Sequence, residues 1–195
     1  MRLRRDRGGG APVDWLIVGL GNPGSRYAGT RHNIGFEAAG LLARRWELPR
    51  ARTRFRGLLT EGRTGPGGPR VAVLLPQTYM NEAGQSAGPA RGSYRLGLER
   101  VLVLHDEIDL PFGEVRARLG GGLAGHNGLK SLKAGLGGPD FARVRIGVGR
   151  PDSSDPEIVS AHVLGPFREP RTDVADLVDR AAAAAEAVVL GETEL

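Results

Sequence analysis

The chain has no cysteine, which excludes disulfide bonds and thiolate metal sites. Lysine is nearly absent too: among 27 basic residues only Lys130 and Lys133 are not arginine. No apolar run approaches the roughly 18 residues needed to cross a bilayer. The start, MRLRRDRGGGAPVDW, is basic but lacks the apolar stretch of a secretory signal. No repeat or interdomain linker interrupts the rest. Residues 1–12 read as a disordered basic leader and 13–195 as one domain, expected in the cytoplasm. A length of 195 residues can bury a core without covalent staples.

The net charge of +5 conceals an asymmetry. From Asp152 to Leu195 ten acidic residues face three arginines, a net of −7, so residues 1–151 carry +12. A basic body with an acidic tail suits a polyanionic partner, nucleic acid being the commonest. The bland alternative is a genome that writes arginine on solvated faces.

Strand and helix patterns alternate. WLIVGL (15–20), RVAVLL (70–75), RVLVLHD (100–106) and ARVRIGVG (142–149) read as buried strands, and GEVRARL (113–119) as a more exposed one. RFRGLLTE (54–61) and RVAVLL, joined by Gly-rich turns, read as a hairpin. Helices are expected over 33–46, over 81–97 with distortion at Gly88, Pro89 and Gly92, over 128–137, and over 172–191, the last capped by Thr172 and stopped at Gly191. The economical reading is an α/β fold: a single domain with a twisted mixed sheet flanked by helices.

Gly19, Gly21 and Gly24 spell the dinucleotide fingerprint after the first strand. That motif requires a helix to open at its third glycine, yet Gly24 leads into SRYAGT and the helical pattern starts near Asn33. The acidic residue expected about 20 positions on, Glu47, closes a helix instead of a strand. A cofactor loop is therefore disfavoured. Open α/β sheets build sites at the carboxyl ends of their strands. There this chain delivers Asn22, then TYMN with Asn81, then Asp106, while GGGLAGHNG brings His126 and Asn127 to a helix start. Alternation along VLVLHDE puts His105 and Asp106 on opposite faces, so they do not chelate one metal together, and no three-ligand spacing exists elsewhere. Each polar residue has an ordinary explanation: Asn33, Asn81 and Asn127 as helix caps, Asp106 as a turn residue, His32 as a solvated loop histidine. Gathered at one sheet edge, one histidine, one aspartate and several amides instead match a hydrolytic site. With no cysteine and no Gly-x-Ser-x-Gly elbow, water is the expected nucleophile.

Five blocks carry a resemblance: VGLGNPGSRYAGTRHNIGF, LLPQTYMNEAG, LHDEIDLPFGEVR, GGGLAGHNGLKSL and FARVRIGVGRP. In this order and spacing the chain resembles bacterial-type peptidyl-tRNA hydrolase from about Trp15 to Gly191. The resemblance implies a monomeric enzyme, without cofactor or membrane association, that cleaves the ester between peptide and tRNA and recycles tRNA from aborted translation. It makes 13–195 the catalytic domain, His32 the base that activates water, and Asp106 its orienting partner. Asn22 is implied to separate N-blocked peptidyl-tRNA from aminoacyl-tRNA. Tyr27, Tyr79, Asn81 and Asn127 are implied to line the substrate channel, Asn127 near the water and the developing oxyanion. Arg118 and Arg145 stand where the family carries a clamp for the 5′-terminal phosphate, with arginine at 118 where lysine is common. Departures from the family pattern fall at Leu123 and Ala124 in the glycine turn, at Pro89 and Gly92, and in the leader.

Overall fold

The computed structural model describes residues 12–195. The leader expected over 1–12 lies outside the described residues apart from Pro12. Seven strands form one sheet: β1 (Trp15–Gly19), β2 (Arg52–Arg54), β3 (Gly57–Arg63), β4 (Arg70–Pro76), β5 (Val101–Glu107), β6 (Val115–Leu119) and β7 (Ala142–Gly147). Their order is β2-β3-β4-β1-β5-β7-β6. The inner strands β4, β1, β5 and β7 run parallel, while β2, β3 and β6 add antiparallel edges. A mixed sheet flanked by helices is thus borne out. Parallel strands are covered on both faces, which is why all five residues of β1 are buried.

The two faces have separate cores. On one, Ile17, Leu102, Leu104 and Val144 pack under α1 (Ile34–Arg45) and α5 (Arg171–Val189). On the other, Leu16, Val18, Leu74 and Val103 pack under α2 (Gly84–Tyr94) and α3 (Asn127–Leu136). The connection from β1 returns to β4 on one side of it, and α2 then carries the chain across to β5 on its other side. That reversal opens a crevice at the carboxyl ends of β1, β4 and β5, where doubly wound sheets bind ligands.

The first two glycines of the dinucleotide spelling serve packing, while Gly24 takes a positive φ in the following turn. A Cβ on Gly19 would lie 2.6 Å from the Gly35 carbonyl oxygen, and one on Gly21 would lie 2.6 Å from the Phe36 ring. These glycines let α1 sit directly on β1.

Several details differ from the sequence reading. Phe55 and Arg56 both adopt positive φ, so the expected strand 54–61 is split into a turn after β2 and the start of β3. A helix unforeseen in the sequence, α4 (Pro156–Val163), precedes α5. Its signal was present: Asp155 caps it by accepting from the Glu157 N–H at 2.8 Å, and Pro156 occupies its first turn. Thr172 does not cap α5, whose N-cap position is Pro170. Pro89 does not stop α2, although the helix ends at Tyr94, short of 97.

Gly84 and Gly88, one turn apart on α2, abut Ser131 and Gly135 of α3. A Cβ on Gly84 would collide with the Ser131 carbonyl, and one on Gly88 would lie 2.5 Å from the Gly135 carbonyl oxygen. Both obstacles are backbone and cannot swing aside. Gly88→Ala is therefore expected to destabilise the fold by about 1–3 kcal/mol, the usual cost of overpacking, although alanine is the better helix former. Urea unfolding checks this; unchanged or increased stability would contradict the close approach.

Candidate active site

The crevice is a cleft of about 660 Å³. Each of its walls comes from a different strand end. The chain after β1 supplies Asn22, Tyr27 and His32; that after β4 supplies Tyr79, Met80 and Asn81. The end of β5 brings Asp106 and Glu107, and the glycine turn before α3 brings His126 and Asn127. All seven residues expected for catalysis and substrate binding therefore meet in one cleft. Arg118 and Arg145 do not line it.

At the floor lies Asp106, 2% exposed. His32 Nδ1 stands 3.0 and 2.9 Å from its two carboxylate oxygens, and His126 Nε2 stands 2.8 Å from Oδ1. Burial alone would raise the Asp106 pKa. The electrostatic attraction and hydrogen bonds of the two imidazoles outweigh it and hold the carboxyl well below the usual carboxylate range. Asp106 is thus an anion that accepts from both rings.

The role of each histidine follows from its hydrogen bonds. His126 Nδ1 accepts from the N–H groups of Gly128 (3.1 Å) and Leu129 (3.3 Å), capping α3. Its lone pair is therefore on Nδ1 and its proton on Nε2, donated to Asp106. His105 Nδ1 donates to the Asp106 carbonyl at 2.7 Å, and burial lowers its pKa to about 3, so it stays neutral. His162 Nε2 pairs with the Gly149 carbonyl at 3.0 Å. His32 gives its Nδ1 proton to Asp106, which leaves its Nε2 lone pair free toward the cleft. Of the four histidines, only His32 offers the cleft a base.

His32, Asp106 and His126 also have the composition of a metal site, their ligand atoms lying within 4.8 Å of one another. The cap on α3 argues against that use. With Nδ1 of His126 accepting two N–H bonds, Nε2 carries a proton and has no lone pair for an ion.

The asparagines are oriented as firmly. Asn33 is no side-chain cap; its Oδ1 accepts from the Asn22 N–H and its Nδ2 donates to the Asn22 carbonyl, both at 2.9 Å. Asn22 Oδ1 accepts from the Met80 N–H at 2.7 Å. Its Nδ2 is therefore presented as a donor. Asn127 is the first residue of α3 and His126 is the cap, so the Asn127 amide is free of that duty. Among the described residues, the side chains of Tyr27, Tyr79, Asn81 and Asn127 have no hydrogen-bond partner. Tyr79, 59% exposed, stands at the mouth.

Arg118 and Arg145 lie beside the cleft on β6 and β7. The antiparallel register pairs Arg116 with Arg145 and Arg118 with Arg143, so four arginines share one sheet face. Arg143 is buried and donates to the carbonyls of Gly121, Gly122 and Pro139, which pins the glycine turn. Arg145 Nε is held by Glu107 at 3.0 Å. Arg118 makes no ion pair among the described residues. Sequence reasoning missed three parts of the site: the second imidazole on Asp106, Glu107 as the holder of Arg145, and the wall formed by α4.

His105 makes stability depend on pH. Its folded pKa of about 3 lies below the ordinary value of 6.5, so the unfolded chain binds the extra proton. Stability is therefore full above pH 6.5 and falls as pH drops toward 3. His105→Gln should flatten that slope in urea titrations between pH 6.5 and 4, where Asp106 stays ionised. An unchanged slope would refute neutral burial of His105.

Residues 16–194 match the family described as Peptidyl-tRNA hydrolase. The chain is 46% identical over 173 residues to the peptidyl-tRNA hydrolase of Halalkalibacterium halodurans, covering 88% of this chain and 91% of that one. It is 48% identical over 178 residues to the peptidyl-tRNA hydrolase of Afipia carboxidovorans, covering 91% and 86%. The crystal structure of peptidyl-tRNA hydrolase from Acinetobacter baumannii superposes with a TM-score of 0.82 at 40% identity, over 94% of this chain and 93% of that one. With a family match over residues 16–194 and relatives 46% and 48% identical over most of their length, the chain belongs to the peptidyl-tRNA hydrolase family.

Proposed function

We propose that this protein hydrolyses the ester between the peptide and the tRNA of peptidyl-tRNA, with His32 as general base. The observation that carries the reading is the His32 imidazole at the cleft, its Nδ1 held by Asp106, which His126 also bonds. A water on His32 Nε2 loses its proton as it attacks the ester carbonyl. The imidazolium so formed is stabilised by the Asp106 carboxylate, and His32 then returns the proton to the departing ribose hydroxyl. Asn127, at the positive end of α3, supports the developing oxyanion. An ester needs little more activation than this, and no step calls for a cofactor.

Asn22 favours N-blocked substrates on donor–acceptor grounds. Its Nδ2 offers a hydrogen to the cleft, which an amide carbonyl of the peptide can accept. A free α-ammonium brings only donors and leaves that group unmet. Tyr27, Tyr79 and Asn81 complete the channel. Residues 13–195 act as one catalytic unit, a monomer that works where translation occurs, in the cytoplasm. Among the described residues no helix is long and apolar enough to cross a membrane.

Arg118 and Arg145 take the 5′-terminal phosphate of the tRNA. Glu107 fixes Arg145 through Nε, leaving its terminal nitrogens for phosphate oxygens, and Arg118 beside it makes no ion pair among the described residues.

His32→Ala is expected to lower kcat by roughly 10²–10⁴, the share of a general base, with tRNA binding retained. Asp106→Asn should approach that loss. An amide that accepts from His126 turns its own N–H₂ toward His32 and reverses the tautomer. Turnover on N-acetylaminoacyl-tRNA at saturation checks both, and wild-type kcat in His32→Ala would end the base assignment.

Arg118→Ala and Arg145→Ala should each raise KM for full-length peptidyl-tRNA with little change in kcat. The defect should shrink as salt rises, because one phosphate contact no longer contributes to counterion release. Substrates lacking the tRNA body and 5′-phosphate should be cleaved equally by all three proteins. An equal loss on both substrates would remove the clamp.

A further inference from the structure

Arg31 immediately precedes His32 and is 5% exposed. Its Nη1 donates to the carbonyls of His162 (3.0 Å) and Pro166 (2.7 Å). Its backbone N–H donates to Gly165 at 3.1 Å, and Thr30 forms a β-bridge with Pro166. The Phe167 ring centre lies 5.5 Å from the guanidinium carbon, and Glu169 stands 4.0 Å from Nη2. All of these partners belong to the end of α4 and the chain that leaves it.

A buried cation is costly unless it is well paired. Here it neutralises the carbonyl end of a helix, the negative pole of α4. The sequence explains why a side chain is needed: the residue four beyond His162 is Pro166, which has no N–H to offer the His162 carbonyl. Gly165 N–H reaches that oxygen at 3.2 Å, and Arg31 supplies the second bond.

Apolar packing holds α4 only weakly, and its other tie to the body is the His162 Nε2 bond to the Gly149 carbonyl. Val163 is its only buried residue. Yet α4 forms the cleft wall through Val159, Ser160 and Val163. The polar tie to Arg31 therefore outweighs apolar packing in setting where this wall stands.

We propose that Arg31 is a positioning residue that locks the α4 wall to the turn bearing His32, so that the ester is held against the base. The proposal rests on the reading of His32 as that base. Lysine is a poor replacement for Arg31: its stem ends one bond short of the Nη1 that reaches both carbonyls, and an ammonium lacks the planar face that lies against Phe167. A shift of about 1 Å between wall and base is enough to cost up to about 100-fold in rate.

The test compares Arg31→Lys with Val188→Ala, a core substitution in α5 remote from the cleft. Steady-state kcat and KM on peptidyl-tRNA are measured with amide hydrogen exchange over residues 156–164. Arg31→Lys is expected to lower kcat by about tenfold or more and to accelerate exchange in α4. Val188→Ala should lower Tm without either effect. Phe167→Leu, which removes the ring against the guanidinium, should give the same signature more weakly, and it decides the matter if Arg31→Lys does not fold. Wild-type kcat in Arg31→Lys, unchanged exchange in α4, or an equal kcat loss in Val188→Ala would each overturn the proposal. Full activity in His32→Ala would strike the base assignment instead. An inactive His32→Ala beside a fully active Arg31→Lys would strike only the positioning role.

Discussion

A buried carboxylate shared by two imidazoles governs this site. Asp106 sits at the inner end of the cleft, where an isolated anion would be protonated or would destabilise the fold. His32 and His126 approach it within 3.0 Å and keep it ionised. The dependence runs both ways. The anion draws a proton to Nδ1 of His32 and to Nε2 of His126, and so leaves the Nε2 lone pair of His32 unprotonated. His126 is further constrained by its cap on α3, so the chemistry is coupled to a helix end as well as to a strand end.

The sheet makes that arrangement affordable in conformational terms. Asp106 and Glu107 terminate a fully buried strand, and His32 lies in the 3₁₀ turn before α1, whose glycine contacts with β1 leave it no freedom to shift. Asn22 is clamped by Asn33 and by the Met80 N–H, so two strand ends are tied together through one amide. Rigid elements on three sides thus fix the orientation of these side chains, which is the condition for electrostatic preorganisation. The fourth side, α4, has little packing of its own and is tethered through Arg31.

Charge is distributed to match. Half of the tail's ten acidic residues lie in α4 and α5, and Arg45 pairs there with Asp179 and Glu186. The arginines of β6 and β7 stand instead on the opposite face of the sheet from α5, beside the cleft.

Alternating patterns and strand-end residues were enough to determine, from the sequence alone, a mixed α/β sheet and the gathering of these polar residues at its carboxyl edge. Both are local or near-local properties: apolar period, turn residues, and the rule that parallel strands deliver their following residues to one edge. His32, Asp106 and the asparagines were legible for that reason. Other features depended on partners far apart in the chain. Nothing near His126 in sequence reveals that it binds a carboxylate twenty residues earlier, and nothing near Arg31 reveals carbonyls more than 130 residues later. The caps assigned to Asn33 and Asn127 were reasonable by local rule, yet the folded chain gave one amide to Asn22 and the cap to His126. A hydrogen bond's choice among several nearby donors is decided by which backbone groups the packed elements leave unpaired. That is settled only when the elements meet.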